Sequence, residues 1–340
     1  LFAAIIGATL TLWDEIPRLF HILGFTVTTF SGREAVRFLI CVAMLVPPCF
    51  LSGRIYALAM ATFAGSDRDV GWRVGYVSAA STTGAVVGSL AGSFVLLPTL
   101  GSELGLRVLG GVLLLSALGY GLAVSLDRAP ARRVLAWSGV AALFIALAPS
   151  WDIGRLADGS NVYFRAQWTG GETVFVHEDK HGGLTTVREQ RGVRTLLTNG
   201  KFQGNDRYEM DDQRAFALFP ILHLDRMDAA LVIGLGSGVS AATVKRFPFE
   251  RVVACEISPG IIEAADRYFG HVNDDIVTAL GPDLLVQDGR HHLLVTEQRY
   301  DMISVEVTSI WFAGAGSIYN REFYSLASDR LTTGGVFQQW

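Results

Sequence analysis

The sequence predicts an N-terminal α-helical transmembrane bundle joined to a C-terminal α/β domain with a doubly wound, mainly parallel sheet. A small antiparallel β domain is expected between them. Three observations carry this reading. Charge is divided unevenly over the 340 residues: residues 1–150 hold 17 charged side chains and no lysine, and residues 151–340 hold 43. Net charge is divided too, +3 in the first part and −7 in the second. Halves so different suit two solvents rather than one core. Finally, a short apolar strand runs into the alternating glycines Gly234, Gly236 and Gly238, and a second strand ends in an acid, Glu256, 22 residues after the first glycine.

From the N-terminus, residues 1–150 read as about five spanning segments, the first incomplete. A spanning helix needs ~20 mostly apolar residues. Leu1–Trp13 is the tail of one, and residues 35–63 form a second, with a kink expected at Pro47-Pro48. Val74–Pro98, Arg107–Leu126 and Arg133–Pro149 complete the set. Arg54 inside the second either snorkels to the headgroups or faces a protein interior. Gly84, Gly88 and Gly92 make a smooth stripe on one helix face, which predicts close approach of another helix. Arginine counts in the loops tilt the C-terminal domain towards the outside; a nucleoside site would favour the cytoplasm, and we take the cytoplasmic placement. The chain opens on Leu1 and closes on Trp340 inside apolar runs, so it reads as truncated at its ends, the C-terminus included.

Residues 160–205 are expected to form the small β domain. Its strands are 172–177, 184–189 and 194–197, with turns at His181-Gly-Gly and Arg191-Gly192. Residues 206–340 are the Rossmann-like domain. Residues 200–213 read as a charged loop and 214–224 as a helix. Strands at 229–234, 251–256, 283–287, 300–305 and 335–339 then alternate with helices near 239–247, 259–269, 290–296 and 320–331, the pattern of a parallel sheet covered on both faces. The acidic balance of this half excludes a basic nucleic-acid surface. Cys41, Cys49 and Cys255 match neither a zinc site nor a disulfide framework and read as small buried apolar residues.

The glycine loop carries the chemistry. Gly234-Leu-Gly236-Ser-Gly238 is followed by Val239, where a dinucleotide loop has a third glycine. The Gly-x-Gly-x-Gly form suits an S-adenosylmethionine site, which has no pyrophosphate to cradle. Glycine lets the backbone approach the ligand, and ligands of such sheets lie at the carboxyl ends of the strands. Glu256 is placed to accept both ribose hydroxyls, Asp288 to accept from an adenine amino group, with Gly289 beside it and Ile257 against the ring. His291 and His292 point in different directions on a helix and read as surface residues rather than a metal pair. Tyr319 and Tyr324 read as packing.

Here the residues match a family. Asn199-Gly-Lys-Phe-Gln203, the glycine loop, Ala254-Cys-Glu256-Ile-Ser-Pro, Asp288-Gly-Arg, Arg299-Tyr-Asp301-Met-Ile, Glu322-Phe-Tyr324 and Gly334-Gly-Val-Phe-Gln-Gln-Trp340 resemble the spermidine synthase (polyamine aminopropyltransferase) family. More narrowly they resemble its membrane-fused bacterial branch: Gly75 to Gly88 and Gly92 to Gly101 are similar to the transporter-like helices fused to such domains.

The resemblance implies an aminopropyltransferase in the bacterial inner membrane, working on S-adenosylmethionine or its decarboxylated form without a metal. It implies a small cationic amine as acceptor and a homodimer as the candidate assembly. Gln203 matches a cofactor contact, Glu256 the ribose acid and Asp288 the adenine-side acid. The family's catalytic aspartate falls where this chain has Glu306, one methylene longer. A second acid of the family pattern is replaced here by Ser309 or Ile310. Trp311 comes next as a candidate substrate cover, and Asp206, Tyr208 and Glu209, with Asp211 and Asp212 nearby, form an acidic loop that either attracts a cation or is simply solvated. The competing readings are a methyltransferase or lyase on S-adenosylmethionine itself, and a transporter or sensor that binds a nucleoside or polyamine without turnover.

Overall fold

A computed structural model of the chain describes residues 1–64, 70–123, 129–167, 170–179, 183–307 and 315–340. It separates into two compact units, one built on Leu1–Gln167 and the other on residues 170–179 and 183–340.

The first unit is helical throughout. Its elements are α1 (Phe2–Leu12), α2 (Glu15–Gly24), α3 (Phe30–Ala64), α4 (Val70–Ala91), α5 (Leu97–Ala123), α6 (Ala129–Leu147), α7 (Ile153–Leu156) and α8 (Ser160–Tyr163). The five expected segments correspond to α1, α3, α4, α5 and α6. Two runs, Phe30–Phe63 and Val70–Gly119, are long and apolar enough to cross a bilayer; Phe2–Leu12 and Ala136–Leu147 are shorter. Helix α3 continues through Pro47 and Pro48. The second run carries a π-turn over Gly92–Leu96 and a break at Gly101, where φ is 71°. At Gly84, Gly88 and Gly92 a side chain would meet nothing within 4 Å, so among the described residues no helix closes on that stripe. Cys41 and Cys49 are exposed, against expectation, because α3 turns its apolar side chains outward; Cys255 is buried.

One arginine ties this unit together at a helix end. Arg107 donates to the carbonyls of Ile145, Ala148 and Pro149, where α6 runs out of intrahelical partners, and is paired with Glu103. A cation there satisfies the orphan carbonyls and the negative end of the helix dipole.

The second unit holds two sheets. Strands β1 (Glu172–Glu178), β2 (Leu184–Gln190), β3 (Val193–Thr198) and β4 (Lys201–Asn205) form an antiparallel meander in the order β1-β2-β3-β4. Strand β4 lies in what the sequence reads as a charged loop. Its turn explains the difference: Asn199 and Gly200 both take positive φ, 51° and 76°, as a two-residue hairpin demands. Helix α9 (Met210–Ile221) also begins earlier than expected.

The parallel sheet is built from β5 (Ala229–Ile233), β6 (Arg251–Glu256), β7 (Leu284–Val286), β8 (Tyr300–Val305) and β9 (Leu331–Gln339), ordered β7-β6-β5-β8-β9. Between the strands run α10 (Val239–Lys245), α11 (Pro259–Asn273), α12 (Ile276–Leu280), α13 (Gly289–Val295) and α14 (Arg321–Asp329). Side chains alternate across the sheet. Ala230, Val232, Val252, Ala254 and Met302 pack with α9, α10, α11 and α12 on one face. Leu231, Ile233, Val253, Cys255, Ile303 and Val305 pack with α13 and α14 on the other. The opposite side of α11 joins the meander, where Ala264 and Phe269 bury against Phe175, Val187 and Leu196.

Candidate active site

The central strand β5 ends at Ile233, and the glycine loop begins there. Gly234, Gly236 and Gly238 have φ of 95°, 55° and 86°, a region that side chains strongly disfavour. Gly238 has a second constraint. A Cβ on it would lie 2.7 Å from Ile276 Cγ2 and 2.8 Å from Asn273 Nδ2. Asn273, fully buried, donates to the Ser237 carbonyl at 2.8 Å and to the Ala265 carbonyl at 3.1 Å, so the last residue of α11 pins the loop.

Strands β6 and β8 flank β5 in register, Ile233 pairing with Cys255 on one side and Val305 on the other. The ladder closes through Gly234 N to the Cys255 carbonyl and Glu306 N to the Ile233 carbonyl, both 2.9 Å. Two acids therefore stand on either side of Gly234, Glu256 from β6 and Glu306 from just beyond β8.

Their surroundings differ. Glu256 is buried, and its two oxygens accept from Leu235 N and Ser258 N at 2.9 Å each. Burial pushes its pKa up, while the N–H groups of Leu235, Ser258, Ile257 and Gly236 pull it down. Glu306 is half-buried and, among the described residues, accepts one side-chain hydrogen bond, from Ser240 Oγ. Burial raises its pKa to about 7, only partly offset by Ser240. A carboxyl poised there exchanges protons readily at neutral pH.

A small polar cluster lies under this side of the loop. Ser240 Oγ is 3.1 Å from the Gln213 carbonyl, and Ser237 Oγ donates to Gln213 Oε1 at 2.8 Å. Beside it, Gly204 leaves room for the same glutamine, since a Cβ would lie 2.7 Å from Gln213 Nε2. Gln213, Ser237, Ser240 and Asn273 are absent from the sequence-based site. Ser237 and Ser240 carry a signal, being hydroxyls within and just after the glycine loop; Gln213 and Asn273 arrive from distant helices with no motif to mark them.

The remaining candidates are spread around the same edge. Gln203 is on β4, and its carbonyl is 4.0 Å from where a Gly236 side chain would start, so this edge of the meander overlies the loop. Ile257 is 59% exposed directly after buried Glu256, and Val286, paired with Glu256 across the strands, is 61% exposed. Apolar side chains left open at the carboxyl edge of a sheet offer a face to a flat ring. Asp288 caps α13, accepting from Arg290 N at 2.8 Å. Gly289 is buried with a Cβ position 2.4 Å from Ile233 Cγ2, so helix–strand packing alone requires a glycine there. Asp206 accepts from Arg194 N at 2.9 Å and pairs with His271 at 3.2 Å. Tyr208 is 77% exposed, Glu209 precedes α9 with its N–H on Asn205 Oδ1, and Asp211 faces solvent beside Arg214. Trp311, Ser309 and Ile310 lie outside the described residues.

His292 corrects the surface reading of the histidine pair. It is buried, with Nδ1 2.9 Å from Gln287 Nε2 and Nε2 2.7 Å from the Tyr300 hydroxyl. Burial, then Arg251 and His291, lowers its pKa, so the ring stays neutral within the core. Burial pushes the neighbouring Cys255 thiol up to about 12, which makes it inert. Asp301 is structural as well: buried, it accepts from Asp228 N, Ala229 N and Thr332 Oγ1 and fixes the start of β5.

Residues 209–339, the whole parallel sheet with α9, match the spermine/spermidine synthase domain. The polyamine aminopropyltransferase of Corynebacterium efficiens is 31% identical over 282 residues, covering 79% of this chain and 51% of that protein. The chain belongs to the spermidine synthase family. The polyamine aminopropyltransferase of Mycobacterium tuberculosis is 26% identical over 273 residues, again with 79% and 51% covered. The chain spans about half the length of these curated family members. Among solved structures, spermidine synthase from Thermotoga maritima is similar with 19% identity and a TM-score of 0.44, over 49% of this chain and 56% of that one.

Proposed function

We propose that the protein is a membrane-anchored aminopropyltransferase. It moves the alkyl chain of decarboxylated S-adenosylmethionine to an amine and releases methylthioadenosine. In the reaction the amine nitrogen forms a bond to the methylene beside the sulfonium. The carbon–sulfur bond breaks, its electron pair stays on sulfur, and the extra proton of the new ammonium leaves to a base. The observation that supports this reading is the pair of acids astride Gly234. Glu256, held by backbone N–H groups, suits the ribose hydroxyls. Glu306, with a pKa of about 7, suits the attacking amine: ionised, it accepts the proton and keeps the nitrogen neutral.

The residues present fit the nucleoside. The positive-φ loop exposes backbone on the side of Gln203, and Ile257 and Val286 leave apolar surface at the edge where an adenine would rest. Binding and alignment supply most of the rate, because the sulfonium is already a good leaving group.

Anchoring is supported by the first unit. Phe38, Leu39, Phe50, Phe94 and Leu115 are each more than 60% exposed on the two long apolar runs. Such a surface is costly in water and favourable in lipid. The bacterial inner membrane and a cytoplasmic face for the second unit complete the reading.

The test is direct. Purified protein is incubated with S-adenosylmethionine or its decarboxylated form, with and without putrescine, and the products are weighed by mass spectrometry. Methylthioadenosine with a lengthened amine is expected from the decarboxylated cofactor. S-adenosylhomocysteine would replace this function with methyl transfer, and methylthioadenosine without an alkylated amine would indicate a lyase.

A further inference from the structure

We propose that Ser240 is a positioning residue for Glu306: a buried hydroxyl that switches its single proton between two acceptors as the carboxyl gains and loses its own. This rests on the reading of Glu306 as the acid that faces the amine, and it adds the device that steadies that acid through a proton transfer.

The geometry is specific. Ser240 is on the first turn of α10 and is 2% exposed, so water cannot complete its hydrogen bonds. Its Oγ sits between Glu306 Oε1 and the Gln213 main-chain carbonyl, 3.1 Å away. A hydroxyl has one proton to donate and lone pairs to accept. With Glu306 ionised, that proton points to the carboxylate. With Glu306 protonated, the acid donates to Ser240 Oγ, and the serine proton turns to the Gln213 carbonyl. Both protonation states therefore keep the carboxyl hydrogen-bonded without moving a heavy atom.

Among the described residues few other groups compete. The elements around Glu306 present Ser240 from α10, the Gln213 carbonyl from α9, Gly234 from the loop after β5, and Val307 beside it. Among the described residues no charged side chain contributes to its titration. The Gln213 carbonyl is itself fixed, because the same residue's side chain is held by Ser237.

The experiment uses the full chain in lipid nanodiscs without ligand. The Glu306 carboxyl is titrated by infrared difference spectroscopy, its band identified as the one that Glu306→Gln removes. In Ser240→Ala the midpoint is expected to move up by about one pH unit, because the bond lost to the ionised form is charge-assisted and the bond lost to the acid is not. Ser240→Thr, which retains the hydroxyl, is expected to restore the wild-type midpoint. The pH profile of kcat/KM should move with the spectroscopic midpoint, whereas a residue that only packs would lower the rate at every pH alike. A midpoint in Ser240→Ala that is unchanged or lower overturns the proposal. Should the alanine variant not fold, a Ser240→Thr protein that folds but titrates a full pH unit away overturns it equally. A displaced midpoint in a protein that transfers no aminopropyl group would sustain the role of Ser240 and remove the assigned function instead.

Discussion

Glu306→Gln should make the protein more stable and less active at the same time. The carboxyl has a pKa of about 7 in the fold against an ordinary value of 4.5, because burial disfavours its charged form. A raised folded pKa means that the native state binds the proton more tightly than the unfolded chain. The benefit is fully present below the ordinary value and is lost as pH rises through 7. Each pH unit between the unfolded and folded values is worth ~1.4 kcal/mol, so the span from 4.5 to 7 is ~3.4 kcal/mol, and the half-exposed position trims it to about 2–3 kcal/mol. Glutamine carries no charge to bury and still offers Ser240 an acceptor. The variant should match the wild type near pH 4 and exceed its stability by about 2–3 kcal/mol above pH 8. Native-state hydrogen exchange, read by mass spectrometry on the peptides of β5 and β8, measures this for the sheet that carries the site. In parallel, kcat for methylthioadenosine release should fall by ~10²-fold or more, the usual worth of a positioned base. If the two stability profiles run parallel across pH, Glu306 titrates as an ordinary carboxylate and is not the poised base.

Three further outcomes rest on the same structure. Glu256→Gln replaces one of two acceptor oxygens with a donor facing a backbone N–H, and calorimetry with methylthioadenosine should show a ~10–100-fold weaker Kd; unchanged affinity would place the ribose elsewhere. Gly238→Ala adds left-handed strain and a Cβ 2.7 Å from Ile276, and should cost about 2–5 kcal/mol in the same exchange experiment, with ligand heat lost as well. Asp301→Ala strands the N–H groups of Asp228 and Ala229 and should cost about 2–4 kcal/mol. Burial opposes ionisation of this acid, yet bonds from Thr332, Ala229 and Asp228, with Arg226, hold its pKa low. Its contribution is present above the ordinary carboxylate range and fades as pH falls through that lowered value, so wild type and variant should converge in acid.

Much of this architecture is legible in the chain. Apolar runs of five and four residues, followed by a glycine and an acid, mark β5 and β6, because a strand buried on both faces cannot alternate. Ser258-Pro259 and Asp288-Gly289 carry helix-start signals, and both residues cap, with Ser258 Oγ accepting from Ile261 N and Asp288 from Arg290 N. Strand β4 escapes the sequence although its signal is present. Asn199-Gly200 is a strong short-range hairpin cue, but Asp206, Glu209, Asp211 and Asp212 make the whole stretch look like solvated loop. The residues beyond Asn205 are helix start and surface, so composition is averaged across a boundary. His292 is hidden for another reason. Helical spacing shows only that adjacent histidines diverge; which one turns inward depends on Gln287 and Tyr300, brought together by separate strands. The partners of Glu306 are beyond reach in the same way, since Gln213 and Ser240 lie 93 and 66 residues upstream.

The two acids beside Gly234 stand in different environments on one sheet, which supports the different tasks proposed for them. Both are carried to the carboxyl edge by strands adjacent to β5, and burial raises the pKa of both. What separates them is the donor count. Glu256 is gripped at both oxygens by backbone N–H groups of the loop and of the turn into α11, donors that cannot rotate away. Moving it would leave two N–H groups without partners, so it is a fixed template, suited to hydroxyls that must be placed rather than changed. Among the described residues Glu306 meets a single rotatable hydroxyl. Nothing rigid among the described residues resists a change in its charge, and the serine can reverse the direction of its hydrogen bond when the charge goes. A proton can therefore arrive at Glu306 without disturbing the loop, whereas at Glu256 it would have to displace an N–H. If chemistry passes through either carboxylate, this asymmetry assigns it to Glu306.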